Sequence, residues 1–319
     1  MLRPGANMVK VVFGLMGSAP HITAPALADS AGIQKFLDVC SKHKVHELDT
    51  AAAYVGSESF LGQLNAADKF VVSTKAPAFS PNSLAFDKIV ANCNKSLGAL
   101  KTKQVDIYYL HGPDSATPLE EQCDAIGKLY AEGKFERFGV SNVSPQTVRK
   151  MHEYCKTKGY CLPKVYQGSY NPLQRQLETE LFPVLKELGM NFYAYSPLAG
   201  GIFAKKLDDI LNPAEGDRYK VFPVFKRYLT DESIPALRKL HETCDKEGVG
   251  ILEANLRWLK HHGGLGNEDA YILGATRPEQ LDRTLTLSEG GPLDAALVEA
   301  FDELWHSTKA TAAGYHFET

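Results

Sequence analysis

Long hydrophobic runs are missing from these 319 residues: no apolar stretch approaches the roughly 18–20 residues that a membrane-crossing helix needs. The opening MLRPGANMVK has no apolar core ahead of a small-residue cleavage site, so no secretory leader is predicted and a cytoplasmic location is expected. Cysteine is sparse and unpatterned. The six, at 40, 93, 123, 155, 161 and 244, show no C-x-x-C and no metal-ligand spacing, which argues against a disulfide scaffold or a zinc site. His261 and His262 are adjacent, and neighbours on a helix point in different directions, so no metal is expected there either. Neither sign of charge dominates: 35 Lys and Arg face 38 Asp and Glu, for a net −3, with no basic stripe to attract nucleic acid. No G-x-G-x-x-G follows an apolar run. Gly14-Leu15-Met16-Gly17 and Gly263-Gly264-Leu265-Gly266 are turn-sized, so a dinucleotide-binding βαβ crossover is not expected.

What is present is alternation. Short apolar runs at 9–13, 46–48, 70–74, 105–110, 138–140, 165–167, 191–195 and 270–273 read as eight strands. Longer segments with helical period lie between them. In 83–100, Phe86, Ile89, Val90, Cys93, Leu97 and Leu100 share one helix face, and 118–132, 145–156 and 178–188 behave alike. Gly133, Gly159 and Gly189 follow the last periodic residues, where a C-terminal cap takes positive φ. Strands alternating with helices imply parallel pairing, and eight of them favour a closed (β/α)8 TIM barrel over an open sheet, as one domain over 1–319. The segment 200–231 lacks a clean period and reads as a long loop after the seventh strand. An amphipathic helix at 292–307 and an irregular tail end the chain.

Active sites of such barrels sit at the C-terminal ends of the strands. Strand two ends at Asp49 with Tyr54 just beyond, strand three at Lys75 and strand four at His111. Each alone has a plainer explanation: a turn aspartate, a packing tyrosine, a solvated lysine, a structural histidine. Together they suit carbonyl reduction. Negative charge grows on the carbonyl oxygen as hydride arrives, and a phenol can protonate it. A nearby ammonium is expected to lower the phenol's pKa towards neutrality, while a carboxylate holds the ammonium. An imidazole would orient the carbonyl and stabilise its charge.

The stretch Glu47-Leu48-Asp49-Thr50-Ala51-Ala52-Ala53-Tyr54-Val55-Gly56-Ser57-Glu58, with Thr74-Lys75 and Asp106-Ile107-Tyr108-Tyr109-Leu110-His111, strongly resembles the aldo-keto reductases. The likeness continues through Phe138-Gly139-Val140-Ser141-Asn142, Tyr166-Gln167, Tyr170-Asn171-Pro172-Leu173 and Ala194-Tyr195-Ser196-Pro197-Leu198. The later segments Leu256-Arg257-Trp258-Leu259-Lys260-His261-His262, Ile272-Leu273-Gly274 and Gly291-Pro292-Leu293 narrow it to the aflatoxin-aldehyde reductase branch. The resemblance implies an NADPH-dependent reductase of aldehydes and ketones, with Tyr54 as general acid, Lys75 and Asp49 as its tuning pair and His111 orienting the carbonyl. It also implies a small-molecule carbonyl substrate and a homodimer.

By the same resemblance, Ser141, Asn142 and Gln167 hold the nicotinamide carboxamide and Tyr195 stacks on its ring. Gly14, Met16, Ser196, Leu198, Gly200 and Gly274 line the rest of the cofactor. For its phosphates, Thr276-Arg277-Pro278-Glu279-Gln280 reads as a helix N-terminus, which favours anions, and Arg277 suits a 2′-phosphate. Gln280, Arg283 and the loop residue Arg218 join that list. Thr284 stands where the family usually has an adenine-reading asparagine, and Arg283 where an acidic residue is frequent. Met16, Phe79, Phe222, Phe225 and Phe317 are candidates for an apolar substrate pocket. Two other functions compete: a nucleotide-binding regulatory barrel with little turnover, and a lyase using Lys75 as a Schiff-base nucleophile.

Overall fold

Short parallel strands cannot join by hairpins, so each helix must carry the chain back across the sheet before the next strand begins. That is the architecture found. The structure, a computed structural model, describes residues 9–16, 24–215 and 227–317. Its strands are β1 (Lys10–Gly14), β2 (Glu47–Asp49), β3 (Val71–Ala76), β4 (Val105–Leu110), β5 (Phe135–Ser141), β6 (Pro163–Ser169), β7 (Asn191–Tyr195) and β8 (Ala270–Leu273). They form a closed parallel barrel in chain order, with β8 returning to β1 through Val12↔Ile272 and its neighbours.

The crossover helices are α1 (Ser30–Lys42), α2 (Ser57–Gln63), α3 (Phe86–Leu100), α4 (Leu119–Ala131), α5 (Pro145–Lys158), α6 (Leu177–Glu180) and α7 (Phe182–Leu188). After β7 come α8 (Leu207–Leu211), α9 (Ser233–Lys246) and α10 (Ile251–His261), and after β8 come α11 (Pro278–Ser288) and α12 (Ala295–Thr308). Among the described residues no helix is long and apolar enough to cross a membrane.

Alternation along each strand divides the core in two. Val12, Ile107, Tyr109, Val165, Tyr193, Ala270 and Ile272 pack together inside the barrel. Residues of opposite parity, such as Leu48, Tyr108, Val140 and Tyr166, pack outward against the helices. At the N-terminal end, Arg137 donates to Asp106 at 3.0 Å through Nε, and Tyr193 donates to Glu47 at 2.9 Å.

Gly139 is dictated by space. A Cβ there would lie 2.2 Å from the Tyr109 ring and 2.7 Å from Ile107. We expect Gly139→Ala to destabilise the fold by about 1–3 kcal/mol through overpacking. Thermal unfolding checks this, and an unchanged melting temperature would contradict the packing.

The boundaries differ from the sequence reading where charge or proline intervenes. β5 begins at Phe135, ahead of the expected 138, because Arg137 finds a carboxylate partner in Asp106 and stays in the strand. The single helix expected at 178–188 is two, α6 and α7, parted at Leu181. Pro183 has no N–H to continue the ladder, and its ring excludes the preceding turn. The helix expected from 83 starts at Phe86, whose N–H donates to Glu121 at 2.9 Å. The long segment after β7 contains a 3-10 stretch, Ala199–Ala204, and α8. Gly133, Gly159 and Gly189 do take positive φ, at 68°, 70° and 63°. Five cysteines (40, 93, 123, 155 and 244) are buried on helices, and burial pushes the thiols of Cys40, Cys93 and Cys244 up to about 12.

Candidate active site

Closure of the barrel brings the C-terminal ends of β2, β3 and β4 side by side. Lys75 is completely buried, and its Nζ donates to Asp49 Oδ1 at 2.5 Å and to the Thr50 carbonyl at 2.8 Å. The other Asp49 oxygen accepts from Gln167 Nε2 at 2.8 Å, across the barrel. Burial pulls the Lys75 ammonium below the ordinary lysine range, and the Asp49 contact opposes that pull. The ammonium lies 5.2 Å from the centre of the Tyr54 ring and 5.6 Å from that of Tyr109. The imidazole of His111 meets the Tyr54 ring edge-on, with centroids 5.7 Å apart. All four expected residues therefore converge.

Their electrostatics differ from expectation in one respect. Burial pushes the Tyr54 phenol well above the ordinary tyrosine value, with Asp49 adding to the rise and Tyr195 after it. The expected lowering by Lys75 is not seen, because desolvation of a phenolate outweighs the attraction of an ammonium already paired with a carboxylate. The phenol stays protonated. His111 is lowered to about 3 by burial first and by Lys75 second, so its imidazole is neutral at physiological pH.

The ends of β5 to β8 complete the rim. Asn142, with φ 61°, donates through Nδ2 to the His111 carbonyl and to Ser141 Oγ, both at 2.9 Å. The Tyr195 hydroxyl donates to Asn142 Oδ1 at 2.7 Å. Thus the Asn142 amide has protein partners on both its nitrogen and its oxygen, one Gln167 amide N–H is engaged by Asp49, and Ser141 Oγ acts as an acceptor. In the turn beyond β7, Ser196 and Gly200 have φ of 53° and 69°, and the Asn171 and Asn255 side chains hold the Ser196 and Pro197 carbonyls, each at 3.1 Å. Leu198 lies in the same turn. Gly14 ends β1 and Gly274 follows the neighbouring strand β8. A Cβ on Gly274 would meet nothing nearer than the Gly14 carbonyl, 3.9 Å away, so the space beside Gly274 is open, whereas a Cβ on Gly14 would lie 2.7 Å from the Ile272 side chain.

The helix N-terminus expected near Pro278 is α11, with Pro278 in its first turn and Arg277 as N-cap. Gln280 accepts from the Thr276 N–H at 3.2 Å and from its hydroxyl at 3.1 Å, so these two residues stabilise each other. Arg277 and Arg283 are exposed, and among the described residues neither makes an ion pair. Thr284 is buried and donates back to the Gln280 carbonyl at 2.8 Å, so it does not stand in for an adenine-reading asparagine.

Of the candidate substrate residues, Phe79 meets His111 with centroids 5.7 Å apart and Phe317 at 5.6 Å. Both rings are 51% exposed and border a groove of about 570 Å³ shared with Val143 and Met151. The Phe317 N–H donates to the Asn142 carbonyl at 3.1 Å, tying the tail to the rim. Phe79 has φ 68°, a strained value for a bulky residue of the kind that gathers at functional sites. Met16 is also exposed, in the turn after β1. Arg218, Phe222 and Phe225 lie outside the described residues.

Sequence reasoning missed the polar supports. Glu58, Ser57, Asn171 and Asn255 are all buried. The first three fall in quoted motifs, but nothing in their spacing distinguished a support from a surface residue. The paired histidines serve α10: His261 Nε2 lies 2.9 Å from the Gly290 carbonyl, and His262 Nε2 accepts from Leu293 N–H at 2.8 Å. Among the described residues no group of three or more His, Cys, Asp or Glu is placed to hold a metal ion.

Comparison with known proteins bears on this geometry. Residues 10–306 match the aldo/keto reductase family. The chain is 36% identical to aflatoxin B1 aldehyde reductase member 2 of Homo sapiens, across 96% of this chain and 89% of that protein. It is 37% identical to aldo-keto reductase family 7 member A3 of Homo sapiens, over 92% and 93% of the two chains. Oxidoreductase sirO of Leptosphaeria maculans is 38% identical over 88% of each.

Proposed function

The chain belongs to the aldo/keto reductase family, and we propose that it reduces aldehydes and ketones to alcohols with NADPH, using Tyr54 as the proton donor. The observation that carries this is the buried cluster at the barrel mouth, where a protonated phenol, a paired ammonium and a neutral imidazole adjoin one open rim. Hydride comes from the reduced nicotinamide when it is bound; the remaining work falls to the chain's own groups.

His111, being neutral, can donate one hydrogen bond to a carbonyl oxygen without drawing a second charge into the site. Tyr54 delivers its proton to that oxygen as negative charge develops. The phenolate left behind is stabilised by the ammonium beside its ring, and Asp49 keeps that ammonium in place. Lys75 is a poor candidate for a Schiff-base nucleophile, since its amine is buried and bound to Asp49 and Thr50.

The residues fit a nicotinamide dinucleotide. A side chain at Gly274 would take up the open space there, the Ser141 hydroxyl and the Tyr195 ring lie at the ends of β5 and β7, and α11 presents its N-terminus. Arg277 and Arg283 supply guanidinium groups suited to a 2′-phosphate. Phe79 and Phe317 offer an apolar wall to the substrate.

Absorbance loss of NADPH with 4-nitrobenzaldehyde tests the proposal, run in parallel with NADH. Turnover favouring NADPH is expected. Arg277→Ala should raise KM for NADPH about tenfold while leaving NADH unaffected, as loss of one charge-assisted contact implies. NADPH binding without turnover on any carbonyl would instead favour a nucleotide-binding regulatory barrel.

A further inference from the structure

Glu58 is a carboxylate in the first turn of α2, only 9% exposed, and no role described above uses it. Burying a carboxylate is costly, and an apolar residue would fill the same space more cheaply. Its contacts explain the choice. Glu58 Oε1 accepts from the Thr74 hydroxyl at 2.6 Å, and Thr74 precedes Lys75 in β3. One residue earlier, Ser57 Oγ shares a 2.7 Å hydrogen bond with Thr50 Oγ1. Thr50 follows Asp49, and its carbonyl is one of the two acceptors of the Lys75 ammonium. The start of α2 is therefore fastened to both strands that carry the buried ion pair.

Between those fastenings runs the turn that bears Tyr54. It is closed by hydrogen bonds from Tyr54 N–H to the Ala51 carbonyl at 2.9 Å and from Ser57 N–H to the Tyr54 carbonyl at 3.0 Å. Ala52 N–H reaches the Lys75 carbonyl at 3.2 Å. We propose that Glu58, assisted by Ser57, is a positioning residue that holds the Tyr54 turn over Lys75 from the opposite, Thr74 face of β3, where its charge also acts on that ammonium from behind the strand. This role presupposes Tyr54 and Lys75 as the reacting pair proposed above.

The groups around the Lys75 ammonium are Asp49 on β2, Tyr54 on its turn, and Tyr109 and His111 on and just beyond β4, and Glu58 on α2 acts on it from the Thr74 face of β3. Glu58 also faces Cys93 on α3 and Tyr108 on β4, neither of which carries positive charge. Of the groups that oppose the effect of burial on the ammonium, the two carboxylates carry a negative charge, and the Thr50 carbonyl is a neutral acceptor. Removing the charge of Glu58 therefore lets Lys75 lose its proton at lower pH, and a rate that needs the ammonium falls earlier on the alkaline side.

Two substitutions separate charge from geometry. Glu58→Gln keeps an acceptor for Thr74 and removes the charge; the alkaline limb of its kcat profile should move down by about one pH unit. Glu58→Ala removes both and should lose about 10²-fold in kcat at every pH, with NADPH affinity, read by protein fluorescence, unchanged. If the alanine variant does not fold, Ser57→Ala takes its place, with a smaller loss in kcat and the same unchanged affinity expected. A second readout needs no turnover: the titration of Lys75 Cε in 13C-lysine-labelled protein, assigned through Lys75→Met, should have a lower midpoint in Glu58→Gln than in the unsubstituted protein. Profiles and midpoints that superimpose, with only the melting temperature reduced, would overturn the proposal. Absence of any reductase activity in the unsubstituted protein would overturn the proposed function, and the lysine titration would still decide whether Glu58 acts on Lys75.

Discussion

Tyr54→Phe is expected to lower kcat for carbonyl reduction by roughly 10²–10⁴-fold, the usual value of a positioned proton donor. The substitution removes one oxygen and keeps the ring, so the edge-on contact with His111 at 5.7 Å and the Lys75 ammonium at 5.2 Å retain their partner. Stability and NADPH affinity should change little. The assay is the loss of NADPH absorbance with 4-nitrobenzaldehyde, alongside fluorescence titration with NADPH alone. Equal rates in the two proteins would remove the phenol from the mechanism. The unusual environment of Tyr54 sharpens the expectation. Because burial and Asp49 both hold the phenol in its protonated form, the acid is available throughout the neutral range, and deprotonation of Tyr54 should not limit the rate there.

The second large effect concerns the ion pair beneath it. Lys75 has no exposed side-chain surface and Asp49 only 6%. Lys75→Met leaves the Asp49 carboxylate buried with Gln167 as its remaining side-chain donor, and loss of one partner from such a pair costs about 3–5 kcal/mol. Asp49→Asn strands the ammonium with the Thr50 carbonyl and should cost a comparable amount. The double substitution, which strands no charge, should recover much of that stability and none of the activity. Urea unfolding of the four proteins measures the coupling, and kcat measured on the same preparations separates the structural from the chemical role. Single variants as stable as the unsubstituted protein would show that the pair is not buried as described.

Much of this site could be read along the chain. Asp49, Lys75 and His111 each lie at the end of an apolar run, and the strand ends at β4, β7 and β8 fell where the hydrophobic pattern stops. The N-terminus of α11 was visible from Pro278, whose fixed φ and missing N–H suit a first helical turn. Other features were hidden for physical reasons. Glu136 and Arg137 interrupt the apolar signal of β5, yet Arg137 stays in the strand because Asp106, on β4, receives it. The break between α6 and α7 was foreseeable from Pro183 but was masked by the apolar spacing around it.

What the sequence by itself determined is the order of elements, the closed parallel barrel they imply, and the residue types delivered to its mouth. Those follow from local periodicity and from strand ends, which each stretch of chain carries within itself. Only the tertiary structure decided what those residues do to one another. Gln167, expected to serve the nicotinamide, also donates one amide N–H to Asp49, 118 positions away, and Glu58 accepts from Thr74 beside Lys75. The phenol of Tyr54, expected to be lowered, is raised. Hydrogen-bond partners and desolvation depend on which strands meet when the barrel closes, and no local pattern encodes the balance between a buried charge and its neighbours.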